Sequence, residues 1–120
     1  MSEAARVEDC LFCKIIDGQV PSSKVFEDDM VYAFNDIEPK AEVHVLVVPK
    51  HHYANVAQVA ASDHELLAHM VEVAQQIAQD KADGQFRLIF NTGEQAGQSV
   101  FHAHGHVLAG SKTASIPMAD

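Results

Sequence analysis

Apolar positions along the chain change their period several times, and each change marks an element. The run LFCKIIDG places Leu11, Phe12, Ile15 and Ile16 on one helical face, which predicts a short amphipathic helix stopped by Gly18. Two brief runs of strand character follow, Lys24 to Glu27 and Met30 to Phe34, on either side of an acidic turn at Asp28 and Asp29, and predict a hairpin. Val43 to Val48 is nearly continuous apolar chain closed by Pro49, a third strand.

The period then becomes helical. Ser62-Asp-His-Glu65 has the form of a capping box, and Leu66, Leu67, Met70, Val71, Val73, Ala74, Ile77 and Ala78 recur behind it, predicting a long helix from about Asp63 to Ala82. His64 and His69 fall on that helix as residues of a solvated face. Asp83-Gly84 breaks it, and Phe86 to Asn91 and Ser99 to Leu108 predict a fourth and a fifth strand. Between them lies TGEQAGQS, too long for a hairpin turn, where Gly93 and Gly97 let the backbone approach a ligand closely. The order predicts an α+β domain: a five-stranded, mostly antiparallel sheet with one short and one long helix packed on one side.

Composition narrows the class. A chain of 120 residues fits one domain, since a single core of this size buries roughly two-thirds of the surface of the unfolded chain. The expected organisation is a flexible start over 1–9, the domain over 10–110, and a tail over 111–120 whose order depends on a partner surface. No apolar run approaches the roughly 18 residues that would span a bilayer, so no membrane partner is expected. The start, MSEAARVED, has neither the basic residues nor the apolar stretch of a secretory signal, so the expected location is cytoplasmic. Seventeen acidic against eight basic side chains give a net charge of -9, which disfavours DNA or RNA as a partner but leaves room for a small anion at backbone amides or histidines.

Two features carry chemistry. Cys10 and Cys13 form CLFC, and two readings stand open: small side chains at a helix start, or metal ligands. FHAHGHVLAG places His102, His104 and His106 two residues apart. On a strand such residues share one face, about 6.7 Å apart at Cα, with Ala103, Gly105 and Val107 on the other. An imidazole row on one face suits either chelation of a catalytic metal or nucleophilic attack by a neutral ring. Length and the long helix weigh against the metal-dependent folds that use such spacing. For attack on phosphorus, the neighbouring Gly97, Gln98, Ser99 and Asn91 supply donors for phosphoryl oxygens, and the cluster needs no metal for the chemical step.

HAHGHVL resembles the HxHxHxx signature of the histidine-triad (HIT) superfamily. The blocks CLFCKIIDGQVPSSKVFEDD, AFNDIEPKAEVHVLVVPKHH and NTGEQAGQSVFHAHGHV resemble that family in order and spacing, closest to the CxxC-bearing bacterial type of its Hint branch. The resemblance covers nearly all of Cys10 to Gly110. It implies a homodimer whose two sheets join into one, a purine nucleotide pocket, and hydrolysis of nucleoside phosphoramidates through a nucleotidyl-histidine. In those terms His104 is the nucleophile, His102 and His106 flank it, His44 supports the cluster, and Ser99 assists the leaving amine. Asp36 meets the ribose hydroxyls. Phe12, Ile15, Phe34, Ile37 and Leu46 wall the base and ribose, although Ile15 and Leu46 each have a plain core reading. Asn91, Gly97, Gln98 and Ser99 lie on the phosphate side. The resemblance also implies a structural zinc on Cys10, Cys13, His52 and His102, with His52 chosen over the adjacent His51 by alignment alone.

Two departures stand out. Gly105 occupies a position that is usually a larger apolar residue, which predicts looser packing behind the histidine strand, and the chain has no Trp. The alternative function is a nucleotide-binding regulatory or scaffold protein with weak hydrolysis. A third reading is a hydrolase whose catalytic metal sits on His102 with His104 or His106.

Overall fold

The computed structural model describes residues 7–116. In chain order the elements are α1 (Leu11–Ile16), β1 (Lys24–Glu27), β2 (Val31–Asn35), β3 (Val43–Pro49), α2 (Val56–Ser62), α3 (His64–Ala82), β4 (Arg87–Ile89) and β5 (Gly105–Ala109). The strands form one sheet in the order β1-β2-β3-β5-β4, and every pairing is antiparallel. The expected α+β class and five-stranded sheet are therefore what the chain adopts. No helix among the described residues is long and apolar enough to cross a membrane.

The sheet is covered on both faces, which is why β3 reads as continuous apolar chain rather than as an alternation. On one face Val31, Ala33, Val45, Val47 and Val107 pack against Val59 of α2 and Leu66, Met70, Val73, Ala74 and Ile77 of α3. On the other, Tyr32, Phe34, Leu46 and Val48 pack against Phe12 and Ile15 of α1. The expectation that the helices share one side is thus corrected: α1 lies on the face opposite α2 and α3. Its Leu11, expected inward, is 45% exposed, as Val71 of α3 is at 41%.

Three boundaries also differ from the pattern-based expectation. A third helix, α2, precedes the long one; its Asn55 side chain accepts the Gln58 N–H at 3.0 Å as an N-cap. Ser62 is the last residue of α2, and Asp63 caps α3 by accepting the Leu66 N–H at 3.0 Å, so Ser62 to Glu65 is not a capping box. The fifth strand begins at Gly105, not Ser99, and the fourth is limited to Arg87–Ile89. Upstream of Gly105, alternation continues without the ladder: Ala103 is buried in the α3-side core and its N–H donates to the Tyr53 carbonyl at 2.7 Å.

The cavity expected behind Gly105 is filled. A Cβ there would lie 2.9 Å from a ring carbon of Phe90 and 3.0 Å from a Leu88 methyl, so those two side chains occupy the missing volume. Residues 111–116, expected as a tail awaiting a partner, are held by the chain itself. Arg87 donates to the Ile116 carbonyl at 2.8 Å, and Glu42 accepts the Ser111 N–H at 2.6 Å. The rest of that tail and most of the expected flexible start lie outside the described residues.

Candidate functional site

Register builds the site wall. Phe34, Leu46 and His106 stand opposite one another across β2, β3 and β5, so all three present side chains to the α1 face. There they border a cavity of about 430 Å³ that is also lined by Phe12, Ile15, Asp36, Ile37, His44, Gly97, Ser99 and His104. Leu11, Glu38, Lys40 and Val100 complete the lining. Leu11 belongs to the expected core face of the first helix, and nothing in the apolar pattern singles out Glu38, Lys40 and Val100, which sit on two loops. Ile37 is 94% exposed, so it is an apolar lip and not a packed wall residue.

Two residues expected on the phosphate side do not line this cavity. The Gln98 side chain is spent on the loop: its Oε1 accepts the Gly93 N–H at 2.9 Å, and its Nε2 donates to the Ala54 and Val100 carbonyls at 2.6 and 3.0 Å. Asn91 has a buried Nδ2 with no hydrogen-bond partner among the described residues. His102 is fully buried and belongs to a second cluster beside the cavity, with Phe12 edge-on to both His102 and His104.

Main-chain partners decide which nitrogen of each histidine carries the proton. The His104 Nδ1 lies 2.8 Å from the His102 carbonyl oxygen, which can only accept, so Nδ1 donates and the ring's lone pair is on Nε2. The Lys40 N–H donates to the His44 Nδ1 at 3.0 Å, so His44 carries its proton on Nε2, 3.0 Å from the His106 Nδ1 and 3.3 Å from the Asp36 Oδ2. His106 then accepts on Nδ1 and carries its own proton on Nε2. Asp36, His44 and His106 bring three ligand-type atoms together, but with Nδ1 already accepting an amide proton, His44 could bind a metal through Nε2 only as an imidazolate. The trio is a hydrogen-bond chain.

The second cluster has the opposite polarity. The His102 Nε2 donates to the Pro49 carbonyl at 2.8 Å, leaving the Nδ1 lone pair directed at Cys10 Sγ (3.3 Å), Cys13 Sγ (3.5 Å) and His52 Nδ1 (3.1 Å). His52 Nδ1 in turn lies 3.5 Å from Cys13 Sγ. With metal–sulfur bonds of about 2.3 Å and metal–nitrogen bonds of about 2.0–2.1 Å, the ligand atoms of a tetrahedral Cys2His2 site are separated by roughly 3.3–3.8 Å. The observed separations match that spacing closely, and a carbonyl fixing the far nitrogen of a ligand histidine is the usual supporting contact. Burial, with the nearby His51 charge, pushes the His52 pKa down, which keeps the ring neutral and its lone pair available. His51 instead stacks on Tyr53, with ring centroids 4.5 Å apart. The four residues Cys10, Cys13, His52 and His102 could hold a metal ion.

A single antiparallel sheet with a short helix over a row of tautomer-locked histidines defines a small α+β domain built around a histidine site. Residues 9–117 match the family model described as scavenger mRNA decapping enzyme C-term binding. An uncharacterized HIT-like protein of Synechocystis is 44% identical over 104 residues, covering 86% of this chain and 91% of that protein. The purine nucleoside phosphoramidase of Escherichia coli K12 is 41% identical over 105 residues, covering 86% and 88%. Among solved structures, a HIT family hydrolase from Clostridium thermocellum matches with a TM-score of 0.84 at 44% identity, covering 88% of this chain and 94% of that one. A histidine triad protein from Clostridium difficile matches at 0.83 and 45%, covering 89% and 95%. The chain belongs to the histidine-triad family.

Proposed function

We propose that the chain hydrolyses purine nucleoside phosphoramidates through a nucleotidyl-histidine formed on His104. The observation that carries this reading is the 2.8 Å contact from the His104 Nδ1 to the His102 carbonyl, which leaves Nε2 as a neutral nucleophile at the cavity. The activity of the Escherichia coli relative supports the substrate class.

In the first step the Nε2 lone pair of His104 attacks phosphorus and a P–N bond to the imidazole forms. The bond to the amine breaks, its electron pair stays on the leaving nitrogen, and that nitrogen takes a proton through the Ser99 hydroxyl. The His106 Nε2–H donates to a non-bridging oxygen as negative charge develops there. In the second step water attacks phosphorus and passes its proton back through the Ser99 hydroxyl, replacing the one that the leaving nitrogen took. The P–Nε2 bond breaks, its pair returns to His104, and nucleoside monophosphate leaves. The Asp36 carboxylate accepts from the ribose hydroxyls, and Phe12, Phe34 and Leu46 offer apolar surface to the base. Family resemblance supports a homodimer as the working unit. Cys10, Cys13, His52 and His102 would hold a structural zinc, which would tie α1 to the sheet and take no part in the chemical step.

The test is His104→Ala assayed on adenosine 5'-phosphoramidate. Turnover falls by about 10⁴-fold or more while binding of adenosine monophosphate, read by calorimetry, persists. Near-normal turnover by that variant would overturn the mechanism.

A further inference from the structure

We infer that Asp36 is a positioning residue for His44 as well as a sugar ligand, so that ribose recognition and the orientation of His106 run through one carboxylate. This rests on the nucleotide-hydrolase reading above. The segment 36–44 closes on itself around His44: the Asp36 N–H donates to the His44 carbonyl at 2.9 Å, and the Lys40 N–H donates to the His44 Nδ1 at 3.0 Å. Asp36 spans that closed segment with both oxygens. Its Oδ1 accepts the Glu38 N–H at 2.8 Å, and its Oδ2 lies 3.3 Å from the His44 Nε2.

The His44 Nε2–H is directed at the His106 Nδ1, 3.0 Å away, and the Asp36 carboxylate lies beside it, with Oδ2 3.3 Å from Nε2. A carboxylate presents about four acceptor positions, so these two contacts leave two for a sugar diol. The Asp36 side chain is 19% exposed and borders the cavity, so those positions can be reached by a ligand. The Lys40 amide selects the His44 tautomer, and the negative charge of Asp36 beside Nε2 steadies the ring in the orientation that directs its proton at His106. His106 in turn keeps its own proton on Nε2, facing the phosphoryl group. The carboxylate is thereby coupled to the phosphorus end of the site through two imidazoles.

Substitution by Asn breaks this arrangement by geometry alone. Whichever way its amide turns, one N–H faces another donor, either the Glu38 N–H or the His44 Nε2–H. The variant Asp36→Asn is assayed on two substrates, adenosine 5'-phosphoramidate and its 2',3'-dideoxy analogue, which has no diol to bind. We expect kcat to fall by about tenfold on both, because the lost function lies at His44 and not only at the sugar. Asp36→Ala, checked for folding by its melting curve, should lower kcat on both substrates in the same way. A loss confined to KM on the ribose substrate, with the dideoxy analogue turned over as by the unsubstituted chain, overturns the inference. A second readout needs no turnover: nitrogen-15 NMR should show the Nε2–H tautomer of His44 in the unsubstituted chain and a shifted His44 Nε2–H resonance in Asp36→Asn, as its contact with His106 loosens. An unchanged His44 Nε2–H resonance in the folded variant also overturns the inference. If the unsubstituted chain turns over neither substrate, the hydrolase reading fails, and the NMR comparison still decides whether Asp36 positions His44.

Discussion

The two histidine clusters stand side by side and use the same side chain, but carry the lone pair on opposite nitrogens. At the buried corner, His102 gives its Nε2 proton to the Pro49 carbonyl and turns Nδ1 toward two thiols. At the cavity, His104 gives its Nδ1 proton to the His102 carbonyl and carries its lone pair on Nε2. The difference teaches that the role of each imidazole is set by its main-chain partner, since spacing along the strand treats the two alike. His102 belongs to both regions, through its ring to the corner and through its carbonyl to His104.

The comparison breaks most sharply in the separation of rate from stability. Removing metal with a chelator, or making Cys13→Ala, should lower the melting temperature by on the order of 10 °C, because ligand binding that is specific to the folded chain contributes about 4 kcal/mol when free ligand is about 1,000-fold above its Kd. Turnover measured well below the new melting point should stay within about threefold, since the His102 carbonyl survives both treatments. A chelated protein that melts normally and loses all activity at once would assign the metal to catalysis instead.

Gly105 sharpens the same contrast from behind the strand. A Cβ there meets Phe90 and Leu88 at 2.9–3.0 Å, so Gly105→Leu should cost about 1–3 kcal/mol by overpacking, read by urea unfolding. An unchanged midpoint would show that the β4 side chains move aside.

The smallest effect lies away from both clusters, where a histidine does a purely structural job. His69 on α3 is ion-paired with Asp28 in the turn between β1 and β2. The Asp28 hydrogen bond, opposed by burial, raises the His69 pKa. A group whose folded pKa is raised stabilises fully below its unfolded value near 6.5 and loses that contribution as pH rises through the folded value. On Asp28, burial acts upward, but hydrogen bonds from His69 and the Val31 and Met30 amides outweigh it and lower the pKa. That contribution is present above the unfolded carboxylate value near 4 and is lost as pH falls through the folded one. His69→Gln should therefore cost under about 1 kcal/mol, most at pH 5–6 and progressively less from pH 6.5 upward, because both side chains are about a third exposed. A cost that grows with pH would contradict this assignment.

Much of the fold was legible from period alone. β2, β3 and α3 fall within a residue of their expected bounds because their apolar positions face a continuous core. The helix VAQVAAS was not legible, since seven residues with one buried side chain carry too little amphipathic signal. The start of β5 was overextended because Ala103 alternates into the core while bonded to Tyr53 and not to a strand, a distinction invisible in side-chain pattern. In the site, the shared face of His102, His104 and His106 could be read from spacing. The joining of His52 to Cys10 and Cys13 came only from family resemblance, since those residues are far apart in sequence. Gln98 was misplaced because a glutamine in a polar loop does not reveal that its amide turns inward to hold that loop.

The most direct test of the account is to quench the reaction with adenosine 5'-phosphoramidate in the first turnovers and map the modified residue by mass spectrometry. The account predicts an acid-labile adenylyl group on His104 and none on His102 or His106. Adenylylation at either neighbour, or turnover at full rate with no histidine adduct accumulating even in variants slowed in hydrolysis, would contradict it.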